Sequence, residues 1–409
     1  MKLGRFAVLA ALLTGCGGGA APETVEPALA PPAAVPVVGP ALLMVQAQFV
    51  KDAAGKTVPG PAKLVIWREG AEGWSQELLE DPESNVFHKA MAWRDGFLTI
   101  GAMGAKLKYW TRDGASWRSQ TLWERSWGGP FDRLRDLEIG DVDGDGQDEL
   151  VLATHDMGVV AVGDEVDGVW TFQEMDQAAD TFVHEIEIGD VDGDGREEFY
   201  ATPSARNRAS MESQPGGVVR YDYTDGAYVR SQVAHWEASH AKEILVTPVD
   251  GRDALFAVRE AHTRKGAGGA VEIVEPVQIY RYTPSEAGWS QEVAGVLQDQ
   301  QCRFLVPGDV DGDGQLELVA AGYKSGLWVF QPGADGSWTP ELIDADSGGY
   351  EHATHVTDLD GDGALEIYVA ADKQRQLRRY RWKDGAWKRE VIGAIPELHI
   401  TWNLQDGVL

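Results

Sequence analysis

Short apolar runs recur along the chain, and each is followed by a glycine-bearing turn and then an aromatic residue. The runs read KLVIW, LKYW, VVAV, VVRYDY, VQIYRY, LWVF and LRRYRW. The aromatic residues after the turns are Trp74, Trp117, Trp170, Tyr228, Trp289, Trp338 and Trp387. Asp-Gly turns favour tight hairpins, and spacings from 43 residues (Trp74 to Trp117) to 61 residues (Tyr228 to Trp289) suit four-stranded blades. The pattern predicts an all-β, seven-bladed β-propeller, with six or eight blades as the alternative counts.

An acidic loop occurs four times, out of phase with these hairpins. It reads DVDGDGQDE, DVDGDGREE, DVDGDGQLE and DLDGDGALE, so Asp occupies loop positions 1, 3 and 5, Gly position 6 and Glu position 9. Ca²⁺ prefers six to eight oxygen ligands at about 2.3–2.6 Å, which acidic residues on alternate positions of a tight loop supply. The sequence therefore predicts about four Ca²⁺ sites with a structural role. Their ligands are Asp141, Asp143, Asp145, Glu149, Asp190, Asp192, Asp194, Glu198, Asp309, Asp311, Asp313, Glu317, Asp358, Asp360, Asp362 and Glu366.

Each complete repeat is expected to contain strand a, the acidic loop, strand b, a loop, strand c, a hairpin and strand d. The two ends of the chain depart from this order. The first unit starts with a b-like run at residues 41–50, and the segment HITWNLQDG at residues 399–407 has no unit of its own. We predict that this C-terminal strand completes the first blade, because closure of the ring removes exposed sheet edges.

The repeats resemble the FG-GAP/VCBS family, which also forms the propellers of integrin α-subunits. The resemblance covers about residues 41–409 and is carried by the four D-x-D-G-D-G-x-x-E loops. It implies a calcium-binding propeller. Because family members include adhesins, carbohydrate-binding proteins, lyases and dehydratases, the fold does not determine the function.

The N-terminus has the features of a targeting segment. Lys2 and Arg5 precede an apolar stretch, and Leu13-Thr14-Gly15-Cys16 resembles a bacterial lipobox. We therefore expect a lipoprotein signal peptide at 1–15, a lipidated Cys16 with a Gly/Ala/Pro tether at 16–40, and the propeller at 41–409. A plain secretory signal with an incidental cysteine is the alternative. Gly17 after the cysteine favours the outer membrane, by resemblance to enterobacterial sorting rules.

The overall charge limits the classes of partner. The chain has 36 Lys and Arg against 65 Asp and Glu, a formal charge of −29, which argues against nucleic acid as a partner. The lipid anchor would attach the protein to a membrane in the cell envelope. There, the expected partner is a carbohydrate or another protein.

Basic and imidazole residues occupy one recurring position, six residues before each acidic loop, and Lys242 occupies it in the fifth unit, which keeps only VDG (residues 249–251) of the loop. Because this position starts strand a, the side chains are expected to meet at the channel mouth opposite the calcium loops, where they would attract an anion. The predicted ligand-binding residues, including Arg259 from a b–c loop, are Arg135, His184, Lys242, Arg303, His352 and Arg259. The alternative is an ordinary wet, polar channel mouth.

Two functional hypotheses follow. The first is an envelope protein that binds a glycan, a small anion or a partner protein at this mouth. The second is an enzyme, such as a polysaccharide lyase or sugar dehydratase, that uses His, Arg and Tyr and could hold a transition metal between imidazoles. Its candidate catalytic residues are His184, His352, His399 and Tyr323. Cys302 is interpreted as a buried, inert thiol, with a reactive thiol as the alternative.

Overall fold

The computed structural model describes residues 38–129, 132–206 and 212–409. The predicted signal peptide, Cys16 and the tether up to residue 37 lie outside the described residues. The described chain forms seven antiparallel sheets, six of four strands and one of five, with one additional short hairpin. The prediction of an all-β propeller with seven blades is therefore confirmed.

The first three blades contain strands β1 to β12 and the last strand of the chain. Blade 1 contains β1 (Pro40–Lys51), β3 (Ala62–Gly70), β4 (Gly73–Asp81) and β31 (His399–Val408), with β2 (Thr57–Pro59) paired to the end of β1. Blade 2 contains β5 (Phe87–Trp93), β6 (Gly96–Gly101), β7 (Lys106–Asp113) and β8 (Ser116–Glu124). Blade 3 contains β9 (Arg133–Gly140), β10 (Glu149–His155), β11 (Val160–Val166) and β12 (Val169–Asp176).

The other four blades follow in chain order. Blade 4 contains β13 (Thr181–Gly189), β14 (Glu198–Ala205), β15 (Gly216–Thr224) and β16 (Ala227–Trp236). Blade 5 contains β17 (Ala241–Val249), β18 (Arg252–Arg259), β21 (Val277–Ser285) and β22 (Gly288–Leu297). Its b–c loop carries β19 (His262–Lys265), a 3₁₀ turn (Ala267–Gly269) and β20 (Val271–Glu275). Blade 6 contains β23 (Cys302–Gly308), β24 (Glu317–Gly322), β25 (Leu327–Pro332) and β26 (Trp338–Asp344). Blade 7 contains β27 (Thr354–Thr357), β28 (Glu366–Ala371), β29 (Gln376–Lys383) and β30 (Ala386–Ala394).

The C-terminal strand closes the ring. Strand β31 pairs with β1 in an antiparallel register that runs from Pro40 opposite Val408 to Gln48 opposite His399. Gly39 and Leu409 extend the ladder with two backbone hydrogen bonds of 3.1 and 3.2 Å. Because β31 lies inside β1 in the strand order, it serves as strand a of blade 1, as the sequence predicts.

Apolar residues of strands b and c fill the spaces between blades, and the recurring aromatic residues close the outer part of these interfaces. In blades 1, 5 and 6, the aromatic residue at the start of strand d packs against an aromatic residue of strand b in the preceding blade. Trp74 of blade 1 packs edge-on against Tyr368 of blade 7, with ring centroids 6.2 Å apart. Trp338 of blade 6 packs in the same way on Phe256 of blade 5, at 5.8 Å. The repeat that identified the blades therefore also joins them.

Within the residues that the structure describes, no helix has the length and apolar character needed to cross a bilayer.

Candidate functional site

The four acidic loops connect strands a and b at one end of the channel, and their backbones share one conformation. Glycines at loop positions 4 and 6 have positive φ angles, for example 78° at Gly144 and 90° at Gly146. A side chain would strain the backbone at both positions. The carboxylate at position 1 accepts a hydrogen bond from the position-6 amide, at 3.0 Å between Gly146 N and Asp141 Oδ2. The equivalent bonds in the other three loops likewise hold the position-1 aspartate inside the loop.

The side chains of these loops can hold a metal ion. In the blade 6 loop, Asp309, Asp311, Asp313 and Glu317 each place an oxygen within 4.8 Å of the others. Smaller acidic groups of three occur in the loops of blades 3, 4 and 7. In blade 6, Asp309 Oδ1 and Glu317 Oε1 are buried without a hydrogen-bond donor among the described residues. Buried oxygens without donors are costly unless a cation neutralises them, so the residues present fit a bound cation.

The opposite mouth of the channel brings together three of the predicted cations. Lys242 Nζ lies 3.2 Å from Glu260 Oε2, and Arg303 Nε lies 3.2 Å from Glu260 Oε1. Arg135 Nη2 lies 3.1 Å from Glu351 Oε2, which is also 3.6 Å from Arg303 Nη1. These five side chains are termed the mouth cluster. Since Arg135 belongs to blade 3 and Glu351 precedes blade 7, their ion pair spans the channel.

The mouth cluster contains three cations and two carboxylates, all of them nearly buried. Burial, followed by the repulsion of Arg303, lowers the pKa of Lys242 to about 8, although Glu260 opposes this shift. Arg303 Nε and Glu260 Oε1 are close to each other but are not aligned for a hydrogen bond. Neither atom has another hydrogen-bond partner among the described residues. The cluster therefore has excess positive charge and an unused donor.

His184 lies beside the mouth cluster and is only 2% exposed. Neither of its ring nitrogens has a hydrogen-bond partner among the described residues. Its ring packs edge-on against His155, with centroids 4.8 Å apart. Burial, with the charges of Lys242 and Arg303 among the further causes, holds the pKa of His184 well below its usual range. The imidazole is therefore neutral at neutral pH and offers one free donor and one free acceptor.

Other predicted site residues lie apart from the mouth cluster. The ring of His352 is fully buried, with Nε2 2.7 Å from the Ser347 hydroxyl and Nδ1 2.8 Å from the Gly322 carbonyl. His399 is half-buried at the edge of blade 1, with Nδ1 2.9 Å from the Glu397 carbonyl. In the described part of the chain, the groups able to hold a metal lie in the acidic loops, and none includes a histidine. His184, His352 and His399 therefore do not form a common ligand set for a transition metal.

Tyr323 and Arg259 lie farther out on the same face. Two lysine ammonium groups lie over the Tyr323 ring, Lys324 Nζ at 4.8 Å and Lys373 Nζ at 4.5 Å from its centroid. Arg259 pairs with Glu275 of the short hairpin. Cys302 is fully buried and its pKa is raised by burial, which agrees with the interpretation as an inert thiol.

One part of this ring matches a known repeat. Residues 309–369 match the FG-GAP-like repeat. This FG-GAP-like segment runs from the acidic loop of blade 6 into strand b of blade 7 and contains two of the four loops. No curated protein matches the chain.

Solved propellers resemble the whole ring at low sequence identity. A protein from Lactobacillus plantarum has a TM-score of 0.57 at 12% identity, over 90% of this chain and 99% of that one. A putative 6-phosphogluconolactonase from Bacteroides fragilis has a TM-score of 0.53 at 12% identity, over 90% and 98%. The periplasmic gluconolactonase of Pseudomonas aeruginosa has a TM-score of 0.53 at 14% identity, over 91% and 99%. These similarities show a shared propeller fold.

Below the mouth cluster, the inner strands carry a group of acidic side chains that the sequence analysis did not recognise as a unit. This group, termed the carboxylate column, consists of Asp136, Glu138, Glu185, Glu187 and Glu243. Lys89 Nζ lies 3.0 Å from Asp136 Oδ1 and also contacts Glu138. Burial raises the pKa of Glu138, and the same effect raises the pKa of three further carboxyl groups. These are Glu185, Glu187 and Glu243. Alternation of acidic residues along strand a, as in LRDLEIG and VHEIEIG, is the sequence signal for this column.

The carboxylate column also joins neighbouring blades. Asp136 Oδ2 accepts a hydrogen bond from the backbone amide of Ile186 in blade 4, at 2.7 Å. Glu243 of blade 5 accepts one from Leu305 of blade 6, at 3.0 Å. These acidic side chains thus connect successive inner strands and hold the backbone that carries the mouth cluster.

Proposed function

We propose that this protein is a lipid-anchored propeller of the cell envelope that binds a small carboxylate ligand at the mouth cluster. Arg135, Lys242 and Arg303 would neutralise the carboxylate, and His184 would hydrogen-bond to a neighbouring hydroxyl or carbonyl of the ligand. A uronate or an aldonate has both groups. Ca²⁺ in the acidic loops would fix the opposite end of the disc, and Cys16 would carry the lipid.

The carrying observation is the buried His184, which lies beside the cations and whose two ring nitrogens have no hydrogen-bond partner among the described residues. Buried polar groups in folded proteins almost always have hydrogen-bond partners, so an exception calls for a ligand or a water molecule. The adjacent excess of positive charge selects an anion. A polar but purely structural mouth would instead pair its imidazole, as His352 is paired at the border of blades 6 and 7.

Glu351 supports the choice of a carboxylate. Its side chain already lies between Arg135 and Arg303, in the position that a ligand carboxylate would compete for. A carboxylate from outside would either displace Glu351 or share its two guanidinium partners. Removal of the charge at Glu351 should therefore increase affinity for the ligand.

Calorimetric titration of the calcium-loaded protein with galacturonate, gluconate and neutral galactose tests the proposal. Binding of the two acids but not of galactose is expected, with Glu351→Gln binding the acids more tightly and Lys242→Met more weakly. Lys106→Met is the matched control, because Lys106 pairs with Glu83 and Glu124 at the edge of blade 2. Equal binding of acid and neutral sugars, or weaker binding after Glu351→Gln, would contradict the proposal.

An enzymatic function is the second candidate, and one observation favours it. His184 is neutral and has a free nitrogen close to groups that would stabilise a developing anion, which are the requirements for a general base. One of the similar folds is named a putative 6-phosphogluconolactonase and another a periplasmic gluconolactonase. Incubation with glucono-lactone and with polygalacturonate separates the cases. Lactone hydrolysis or an unsaturated product that is lost in His184→Gln would support the enzyme, whereas stoichiometric binding without turnover would support the binding protein.

The proposed anchor has its own test. Cys16→Ser should move the protein from the membrane fraction to the soluble envelope fraction without changing its affinity for the acids. Retention of Cys16→Ser in the membrane fraction would contradict a lipid anchor at this residue.

A further inference from the structure

Strand c presents a different side chain to the acidic loop in different blades. The register identifies the relevant positions, because the residue two places after the loop glutamate pairs with one residue of strand c. These pairs are Val151–Val162 in blade 3, Tyr200–Arg220 in blade 4, Val319–Val329 in blade 6 and Tyr368–Arg379 in blade 7. Two places further along strand c lie Asp164, Asp222, Gln331 and Arg381. Arginine thus faces the loop in blades 4 and 7 but not in blades 3 and 6.

In blade 4, the arginine enters the ligand set of the loop. Arg220 Nη2 lies 2.5 Å from Asp192 Oδ2, and Nη1 lies 3.5 Å from Glu198 Oε1. The Tyr200 hydroxyl donates a second hydrogen bond to Glu198 Oε1, at 2.5 Å. A guanidinium and a phenol therefore occupy the oxygens that a cation would use, and Asp222 shares the charge of Arg220.

Blade 7 has the same arrangement with a different arginine. Arg381 Nη2 lies 2.7 Å from Asp360 Oδ2, and Nε lies 3.3 Å from Glu366 Oε1. Arg379 lies 3.7 Å from the same Asp360 oxygen. The Tyr368 hydroxyl donates to Glu366 Oε2 at 3.0 Å.

The loops of blades 3 and 6 have no such counter-ion among the described residues, since no lysine or arginine there comes within ion-pair distance of their eight acidic ligands. Blade 6 offers the neutral Gln331 amide, 3.2 Å from Asp311 Oδ2, and leaves Asp309 Oδ1 and Glu317 Oε1 without donors. Blade 3 places a further carboxylate, Asp164, at the position equivalent to Gln331.

We propose that the chain has two classes of calcium site, with blades 3 and 6 binding tightly and blades 4 and 7 binding weakly. This inference rests on the proposed calcium role of the loops. In the weak class, Ca²⁺ must displace an arginine from at least two ligand oxygens, and the arginine remains nearby as a like charge. Site affinity follows the ligand charge, and an ion pair near the surface corresponds to a difference in affinity of up to about fivefold. Blades 4 and 7 would then respond to calcium at concentrations where blades 3 and 6 are already mostly occupied.

Calcium titration of the chelator-treated full-length protein by calorimetry tests the two classes. The wild type should show two tight and two weak sites. Arg220→Val copies the residue of blades 3 and 6, and Arg381→Gln copies that of blade 6. Each should move one site from the weak to the tight class, by up to about fivefold in affinity. Arg389→Gln is the matched control, since Arg389 pairs with Asp344 rather than with a loop.

Substitution of one aspartate ligand in a single loop shows which class that loop belongs to. This test does not require the arginine variants to fold. Asp309→Asn should remove one tight site, and Asp358→Asn one weak site. Four equivalent sites, loss of a weak site in Asp309→Asn, or unchanged titrations of folded Arg220→Val and Arg381→Gln would overturn the inference. No binding of calcium at any loop would overturn both the inference and the calcium role, whereas four equivalent sites would leave that role intact.

Discussion

Asp372 of blade 7 accepts two hydrogen bonds from Thr401 of the C-terminal strand, one from the backbone amide and one from the hydroxyl, each at 3.0 Å. Thr401 in turn accepts a hydrogen bond from Gln46 of β1, at 3.2 Å. The three residues connect blade 7, β31 and β1 at the point where the ring closes.

The Asp372 carboxyl makes ring stability depend on pH. Burial raises its pKa to about 7, partly opposed by the bonds from Thr401. Because the folded protein then holds a proton that the unfolded chain releases near pH 4, stability should fall as pH rises from about 4 to about 7 and then level off. The fall is at most about 4 kcal/mol for a shift of this size. Asp372→Asn should flatten the profile measured by denaturant unfolding, whereas the exposed Asp180→Asn should not. An identical slope in wild type and Asp372→Asn would contradict this role.

Lys242 should make ligand binding depend on pH above neutrality, whereas Asp372 acts below it. Its pKa, lowered by burial and Arg303 to about 8, means that the ammonium loses its charge as pH rises above 8. Affinity for a carboxylate should therefore be constant below pH 7 and fall by up to about tenfold for each pH unit above 8. Lys242→Arg keeps its charge and should remove most of this fall. Calorimetry from pH 6 to pH 9.5 measures it, and a flat wild-type profile would exclude Lys242 as a charge partner of the ligand.

Substitution by leucine should affect stability differently at the two buried histidines, His184 and His352. His352→Leu leaves the Ser347 hydroxyl and the Gly322 carbonyl unpaired, which should cost about 1–3 kcal/mol of stability. His184→Leu removes a ring that has no hydrogen-bond partner in the described part of the chain, so the melting temperature should stay the same or rise while carboxylate binding is lost. A comparable loss of stability in both variants would indicate that His184 is also a structural residue.

Lys89 should be the most sensitive partner of the carboxylate column. Lys89→Met would leave the buried Asp136 and the partly buried Glu138 without their cation, and loss of one partner from a buried ion pair typically costs about 3–5 kcal/mol. Lys106→Met breaks only longer contacts at a partly exposed site and should cost less than about 1 kcal/mol. Denaturant midpoints of the two variants compare the sites directly, and equal midpoints would show that the column does not depend on Lys89.

The blade count and the ring closure could be predicted because both depend on local patterns. An Asp-Gly hairpin followed by an aromatic residue is visible in a few consecutive residues, and so is a DxDGDG loop. The loops also fixed the register of strand a, which is why Arg135, His184, Lys242 and Arg303 could be placed near one another.

Contacts across the channel could not be predicted in the same way. Glu351 lies in a connection with no repeat pattern, and its distance to Arg135 is set by the diameter of the ring. Similarly, the role of Arg220 depends on which residue of strand c pairs with Tyr200, and this register is set by a hairpin of variable length. His352 had the correct position in the pattern, but its positive φ of 60° and its bonds to Ser347 and Gly322 place it at a border between blades.

The pairing of β1 with β31 also has a consequence for the time course of folding. Gln46 and Thr401 are 355 positions apart, and contacts between such distant residues form slowly because a long loop must first be closed. Until residues 399–408 arrive, β1 presents an unpaired inner edge that another strand could occupy. A synthetic peptide with the β31 sequence should therefore compete for this edge during refolding and trap an open ring, while having no effect on the ring once it has closed.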